Sequence, residues 1–302
     1  MIIDQLWLAT LTKDESDAGT DADRLNVTIN IDGSDVFDYD FPFLTTDGPL
    51  SGGFGPDDEN WLGQAQGALS GSILNAKLGG APLDTPLDTT LLTQSSVRVG
   101  TRSDDAWGAS DILLFGTINA GQDELKQTFA ALAIETEIER WLSADHTEGK
   151  LTMPLRLVGR GTSDTLIHRV LLLTFTPGSG DQDTDDVIWL QISTSTGIVL
   201  QQRITDTEQD DLEPSMGNWY PLDVATPFSR NQIFNGGKIV LGIEGKDAWK
   251  PQCVFLFGFD TPSGRPNNVV TLCALPDWNL GWLSRDASEG KPDVDLPLAP
   301  VV

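Results

Sequence analysis

The chain has 302 residues and a formal net charge of −26, and 39% of its residues are hydrophobic. That length accommodates two domains of roughly 150 residues, each able to bury a core of its own. The charge excludes nucleic acid and bare anionic membrane as partners, because both repel it over a Debye length, and it favours divalent cations, cationic partners or a salty habitat.

Taken in order, the N-terminus MIIDQLWLAT has neither a basic segment nor a cleavage site, and no apolar run approaches the roughly 18 residues that a membrane-spanning helix needs. The expectation is a protein with no transmembrane segment, cytoplasmic or exported by a non-classical route. The segment LWLATLT leads through the acidic stretch KDESDAGTDAD into LNVTINIDG. There Leu25, Val27, Ile29 and Ile31 alternate with polar residues at the period of two of a half-buried strand. Residues 33–90 are rich in Gly, Pro, Asp and Thr, which reads as turns and an inserted loop region.

The stretch 97–116, VRVGTRSDDAWGASDILLFG, returns without a gap as 239–258, IVLGIEGKDAWKPQCVFLFG, at an offset of 239 − 97 = 142. A second pair follows: WLSADHTEGK from Trp141 matches WLSRDASEGK from Trp282, at an offset of 282 − 141 = 141. A spacing of that size means two similar domains rather than a solenoid. Their boundaries are read as 1–160 and 161–302, with the short stretch LVGRGTS as the linker. Between the paired motifs, DELKQTFAALAIETEIERWLS has helix-forming composition, yet its counterpart GRPNNVVTLCALPDWNLGWLS carries a β-branched run and a proline. Shared folding therefore predicts a strand around Thr128 to Ile134. Many short strands separated by Gly, Pro and Asp turns, with no convincing helix, give an all-β class: two tandem antiparallel β-sandwiches. The only cysteines, Cys253 and Cys273, lie in apolar runs and read as buried thiols rather than a bridge.

The order of motifs resembles the PLAT/LH2 (lipoxygenase homology) domain, a non-catalytic β-sandwich found beside lipoxygenases, lipases and polycystins. That family's Ala-Gly-Thr-Asp loop resembles Ala18, Gly19, Thr20 and Asp21, and less completely Asp183, Thr184, Asp185 and Asp186. Its acidic-aromatic turn resembles 210–213. Its Asp-Trp turn resembles Asp105-Ala106-Trp107 and Asp247-Ala248-Trp249, and its closing strand resembles VVTLCALPDWNLGW. The resemblance covers nearly all of the second repeat and both ends of the first.

Loop aspartates at one end of a sandwich suit Ca²⁺, a hard cation that takes 6–8 oxygens in irregular geometry. The resemblance implies Asp17, Asp21 and Asp105 as ligands in the first domain, and Asp181, Asp183, Asp185 and Asp247 in the second. An EF-hand starting at Asp181 fails, because Asp186 stands where glycine is required and Ile192 where a bidentate glutamate is required. The alternative for all these residues is a set of solvated turn aspartates. Trp107 and Trp249 read as core plugs, whereas Trp61, Trp219, Trp278 and Trp282 follow turn residues, so that one or two are expected at the surface for membrane contact once calcium neutralises the tip.

No HExxH, GxSxG, P-loop or GxGxxG motif occurs, and the two histidines, His146 and His168, occupy non-equivalent positions. The chain is thus expected not to be an enzyme. The leading reading is a calcium-dependent binding module that engages a protein partner or a calcium-gated lipid surface. Its rival is a structural subunit of a filament, shell or phage-tail-like assembly, a homo-oligomer by strand augmentation.

Overall fold

Short apolar runs interrupted by Gly- and Asp-rich turns make this chain a series of strands: 188–194 alternates buried and half-buried residues at period two, whereas 128–135 and 253–259 are buried along their whole length. The computed structural model describes residues 1–12, 24–42, 44–45, 48–49, 81–102, 104, 106–118, 128–139, 141–176, 182–204, 212 and 217–300. They divide into two units, Met1–Val158 and Gly159–Val302.

In the first unit the strands are β1 (Ile2–Thr12), β2 (Arg24–Ile31), β3 (Ser34–Pro42), β4 (Leu44–Thr45), β5 (Gly48–Pro49), β6 (Ala81–Asp88), β7 (Val97–Thr101), β8 (Ala109–Ile118), β9 (Thr128–Glu135), β10 (Thr152–Pro154) and β11 (Arg156–Leu157). They form a five-stranded sheet of order β11-β9-β8-β1-β6 and a four-stranded sheet of order β10-β7-β2-β3, with β4 and β5 paired apart. The core between the two sheets holds Ile3, Leu6 and Leu8 from β1, Leu25, Val27 and Ile29 from β2, and Ile112 and Leu114 from β8, together with Trp107.

The second unit comprises β12 (Gly159–Arg160), β13 (Ile167–Phe175), β14 (Ile188–Thr194), β15 (Gly197–Arg203), β16 (Gly217–Phe228), the one-turn helix α1 (Arg230–Phe234), β17 (Lys238–Ile243), β18 (Cys253–Phe259), β19 (Asn268–Leu275) and β20 (Asp293–Leu296). Its sheets run β12-β19-β18-β13-β16 and β15-β14-β17-β20. The chain is therefore all-β, a pair of antiparallel sandwiches. Residues 157–163, read as linker, are in part strand: Leu157 ends β11, which pairs with β9, and β12 lies parallel to β19.

Three departures from the sequence reading have physical causes. The region 33–90 supplies two regular strands, β3 and β6. In β3, Phe37 and Tyr39 face the core while aspartates occupy the positions between and beside them, so acidic composition masks a period of two. In β6, Pro82 and Pro86 are accommodated because this strand is the edge of its sheet, where a missing N–H costs no ladder bond. Helix α1 starts at Ser229, whose N–H donates to Gln232 Oε1 at 2.8 Å; the S-x-x-Q signature of a capping box lies within a segment too short to show helical periodicity. The helix-like composition before Trp141 is overridden as expected, and 128–135 is strand β9, with all eight residues buried.

Both thiols are free and buried. The ladder sets Cys273 opposite Leu256, three positions along from Cys253. Burial pushes the Cys273 thiol up to about 12 and that of Cys253 higher still, so both stay protonated and unreactive.

Candidate functional site

At one end of the second sandwich three segments meet: the 182–187 approach to β14, the 244–250 turn after β17, and the 282–291 loop carrying the WLSxDxxEGK motif. Their meeting is dictated by main-chain bonds. Trp249 and Leu283 exchange N–H···O bonds at 2.9 Å each way, and Lys250 N–H donates to Gln182 O at 3.1 Å. Trp249 is fully buried, and its Nε1–H donates to Thr176 Oγ1 at 3.1 Å. Ser284 Oγ–H donates to Lys246 O at 2.8 Å, and Arg285 N–H donates to Gly245 O at 2.9 Å.

The first unit repeats this brace. Trp107 bridges Leu142, and Ser143 Oγ–H donates to Asp104 O at 2.7 Å. Gly149 and Gly290 turn so tightly that an added Cβ would lie 2.7 Å from Trp141 O and 2.5 Å from Trp282 O, respectively. The two recurring strings of the duplication are therefore one structural device: a tryptophan plug clamped by the serine and glycine of a later loop.

Within that frame the acidic residues of the second unit are laced together. Asp247 N–H donates to Asp186 Oδ2 at 2.7 Å, and Asp185 N–H donates to Asp247 Oδ2 at 3.3 Å. Thr184 Oγ1 accepts from Asp186 N–H at 3.0 Å and donates to Asp247 O at 3.3 Å. Asp183 precedes this knot, half-buried. Of the seven expected ligands, Asp185 and Asp247 are in direct contact, Asp183 is adjacent, and Asp17, Asp21, Asp105 and Asp181 lie outside the described residues. Among the described residues, no three or more His, Cys, Asp or Glu side chains converge closely enough to hold a metal ion. Asp186, which belongs to the loop resemblance but is not among the expected ligands, is the residue that joins the two loops. Its carboxylate fills the space above Gly245, where a Cβ would lie 1.7 Å from Asp186 Cγ.

Of the four tryptophans among which one or two are expected at the surface, Trp61 lies outside the described residues, and none of the other three is fully exposed. Trp219 and Trp278 are buried. Trp282 is half-buried with Lys250 Nζ 5.7 Å from its ring centroid. Turn residues precede all three, but the indoles of Trp219 and Trp278 fold back onto the sandwich because burying them outweighs leaving them in water.

Asp145 and Asp286, equivalent positions of the two closing loops, each accept a backbone N–H and a hydroxyl, from Thr147 and Ser288. These bonds hold both carboxyls below their ordinary value of 3.8. A depressed folded-state value stabilises the fold above the ordinary carboxylate range and loses that contribution as pH falls through the folded-state value. Acid unfolding is thus expected to begin below about pH 4. Asp286→Asn should lower stability slightly at neutral pH, and that difference should shrink as pH falls through the folded-state value, so that the acid limb of the stability curve flattens. Urea melts from about pH 2 to 7 check this. An acid limb of unchanged slope would show that the loop takes no part in acid unfolding.

The fold and this loop end define a class, a double β-sandwich with an acidic, hydrogen-bonded tip. No protein-family model matches the chain, and no curated protein matches it. Among solved structures it is similar to the alpha toxin from Clostridium absonum, at 16% identity and a TM-score of 0.34 over 45% of this chain and 33% of the toxin. It is also similar to the alpha-toxin of Clostridium perfringens from avian strain SWCP, at 14% identity and a TM-score of 0.33 over 45% and 33%. The matched part spans a third of each toxin's length.

Proposed function

We propose that the protein is a non-catalytic binding module whose second domain takes Ca²⁺ at the 183–186 and 247 loops and engages a lipid surface or protein partner there. The reading rests on one observation: Asp186 and Asp247 are tied to each other's loops at 2.7 Å. Two backbone segments carrying four aspartates are thereby held against each other, although like charges repel. The donors are carboxylate oxygens, which a hard cation prefers. Asp183, Asp185 and Asp247 would hold the ion once it draws together carboxylates that do not converge without it, with Asp186 fixing the loops. Calcium would neutralise a tip that otherwise repels anionic headgroups across a chain of charge −26.

Absence of catalysis is part of the proposal. The chain's two histidines offer no support for a triad: His146 is almost fully exposed and meets Asp145 at 3.9 Å, and His168 lies on β13 in the other unit.

Thermal melts with and without calcium are the test. Calcium at 100 times its Kd is expected to add about 2.7 kcal/mol over the EDTA sample, and Asp185→Asn with Asp247→Asn is expected to abolish that gain. No calcium-dependent shift at millimolar concentration would overturn the metal assignment.

A further inference from the structure

Strand β14 sends Ile188, Leu190 and Ile192 into the core and therefore presents Trp189, Gln191 and Ser193 on the opposite face. The ladders place Arg203, Trp189, Gly242 and Asp293 in one row across β15, β14, β17 and β20, and Gln201, Gln191, Val240 and Asp295 in the next. A Cβ on Gly242 would stand 2.3 Å from Trp189 Cζ2 and 2.4 Å from Cε2. The indole consequently lies across the neighbouring strand, over the one residue that leaves room for it. It is half-buried, so its open side faces solvent.

The charges around this ring cancel in pairs. Arg203 Nε–H donates to Glu244 Oε1 at 3.0 Å with a second bond from Nη2 to Oε2, and Lys238 Nζ lies 3.1 Å from Asp295. The centre is left as a neutral indole, two amides, the buried Val240 between them and Asp295, and the single carboxylate of Asp293. Among the described residues, Trp189, Gln191, Gln201 and Asp293 have no side-chain hydrogen-bond partner.

The corresponding row of the first unit is closed. Gly100, the counterpart of Gly242, stands opposite Asn26. Asn26 Nδ2 donates to Asp38 at 2.6 Å and Asp40 at 2.9 Å, and Arg102 sits 3.1 Å from Asp40. One copy satisfies its face internally, whereas the other keeps a flat aromatic and unused donors and acceptors.

We infer that this face of the second domain, the outer side of the β15-β14-β17-β20 sheet, is a saccharide-binding platform. A neutral pyranose ring presents polarised C–H groups on one side and hydroxyls around its rim. The C–H side meets the electron-rich face of Trp189. Gln191 and Gln201 each supply a donor and an acceptor to a hydroxyl, and Asp293 supplies acceptors. A polyanion is repelled by the net charge, and a protein partner would want an apolar centre larger than one indole.

The test is affinity electrophoresis of the full chain in native gels cast with xylan, mannan, β-1,3-glucan or hydroxyethyl cellulose, in EDTA so that the calcium reading plays no part. Retardation is expected in at least one gel, lost in Trp189→Ala and weakened about tenfold in Gln191→Ala, the equivalent of about 1.4 kcal/mol. Should Trp189→Ala fail to fold, the Gln191→Ala/Gln201→Ala variant, which touches only surface amides, decides by the same readout. Equal mobility in all four gels overturns the proposal, as does retardation that survives the loss of Trp189. Quenching of tryptophan emission by tetramethylammonium without any gel retardation would assign the face to a cation and overturn it too.

Discussion

Trp249→Ala is expected to cost about 3–5 kcal/mol of stability, the range for deleting a fully buried aromatic side chain. The side chain is at 0% exposure in the second core, together with Leu256, Leu272 and Leu283. Two separate losses add. The cavity removes the dispersion contacts of the indole, and Thr176 Oγ1 is left buried without the Nε1–H that reaches it at 3.1 Å. Trp249→Phe separates the two: most of the volume stays and the hydrogen bond goes, so about 1–2 kcal/mol is expected. Against a total of about 5–15 kcal/mol for a folded domain, the alanine variant leaves the second unit marginal. Urea denaturation followed by far-ultraviolet circular dichroism measures both. An alanine variant within about 1 kcal/mol of the parent would show that Trp249 is not the plug the loop clamp is built around.

That plug also explains why so much of the architecture is legible in the sequence. The duplication survives in DAW and WLSxDxxEGK because four residues in them answer geometric demands made twice. The tryptophan fills the core, the leucine bridges it, the serine caps a carbonyl, and the glycine sits against a backbone oxygen. The strand at 128–135 is legible only by comparison, since Glu, Ala and Leu favour a helix locally and burial between β8 and β11 overrides them.

What stays hidden is decided by register. The alternation in VIWLQIS marks Ile188, Leu190 and Ile192 as the core side of β14, but nothing in it says that Trp189 would lie over a glycine 53 positions away, 242 − 189 = 53. The same holds for Asp186. In sequence it is the last of a crowded acidic run, and only the approach of the 244–250 turn distinguishes it from Asp185. The tryptophans after turns mislead in the opposite direction, because a turn residue places the backbone at the surface and says little about where a large side chain folds.

Gly245→Ala carries the second large expected effect, about 2–3 kcal/mol. The methyl would lie 1.7 Å from Asp186 Cγ and Oδ1 and 1.8 Å from Oδ2, so the carboxylate must leave its position. With it goes the acceptor for Asp247 N–H, and the two acidic loops separate. Asp186→Ala alone removes the same acceptor without the clash and is expected to cost about 1–2 kcal/mol. In the double variant the methyl added at position 245 occupies the space the carboxylate vacated. Its loss should therefore equal that of Asp186→Ala alone rather than the sum, a coupling of the size contacting residues show. A strictly additive cycle in urea denaturation would mean that Gly245 and Asp186 do not compete for one space. The same three variants bear on calcium. Asp186 is proposed to hold the loops rather than to dominate the coordination, so Gly245→Ala should weaken the calcium-induced rise in melting temperature even though it removes no ligand, because the loops carrying Asp185 and Asp247 then lose the bond from Asp247 N–H to Asp186 Oδ2 that ties them together.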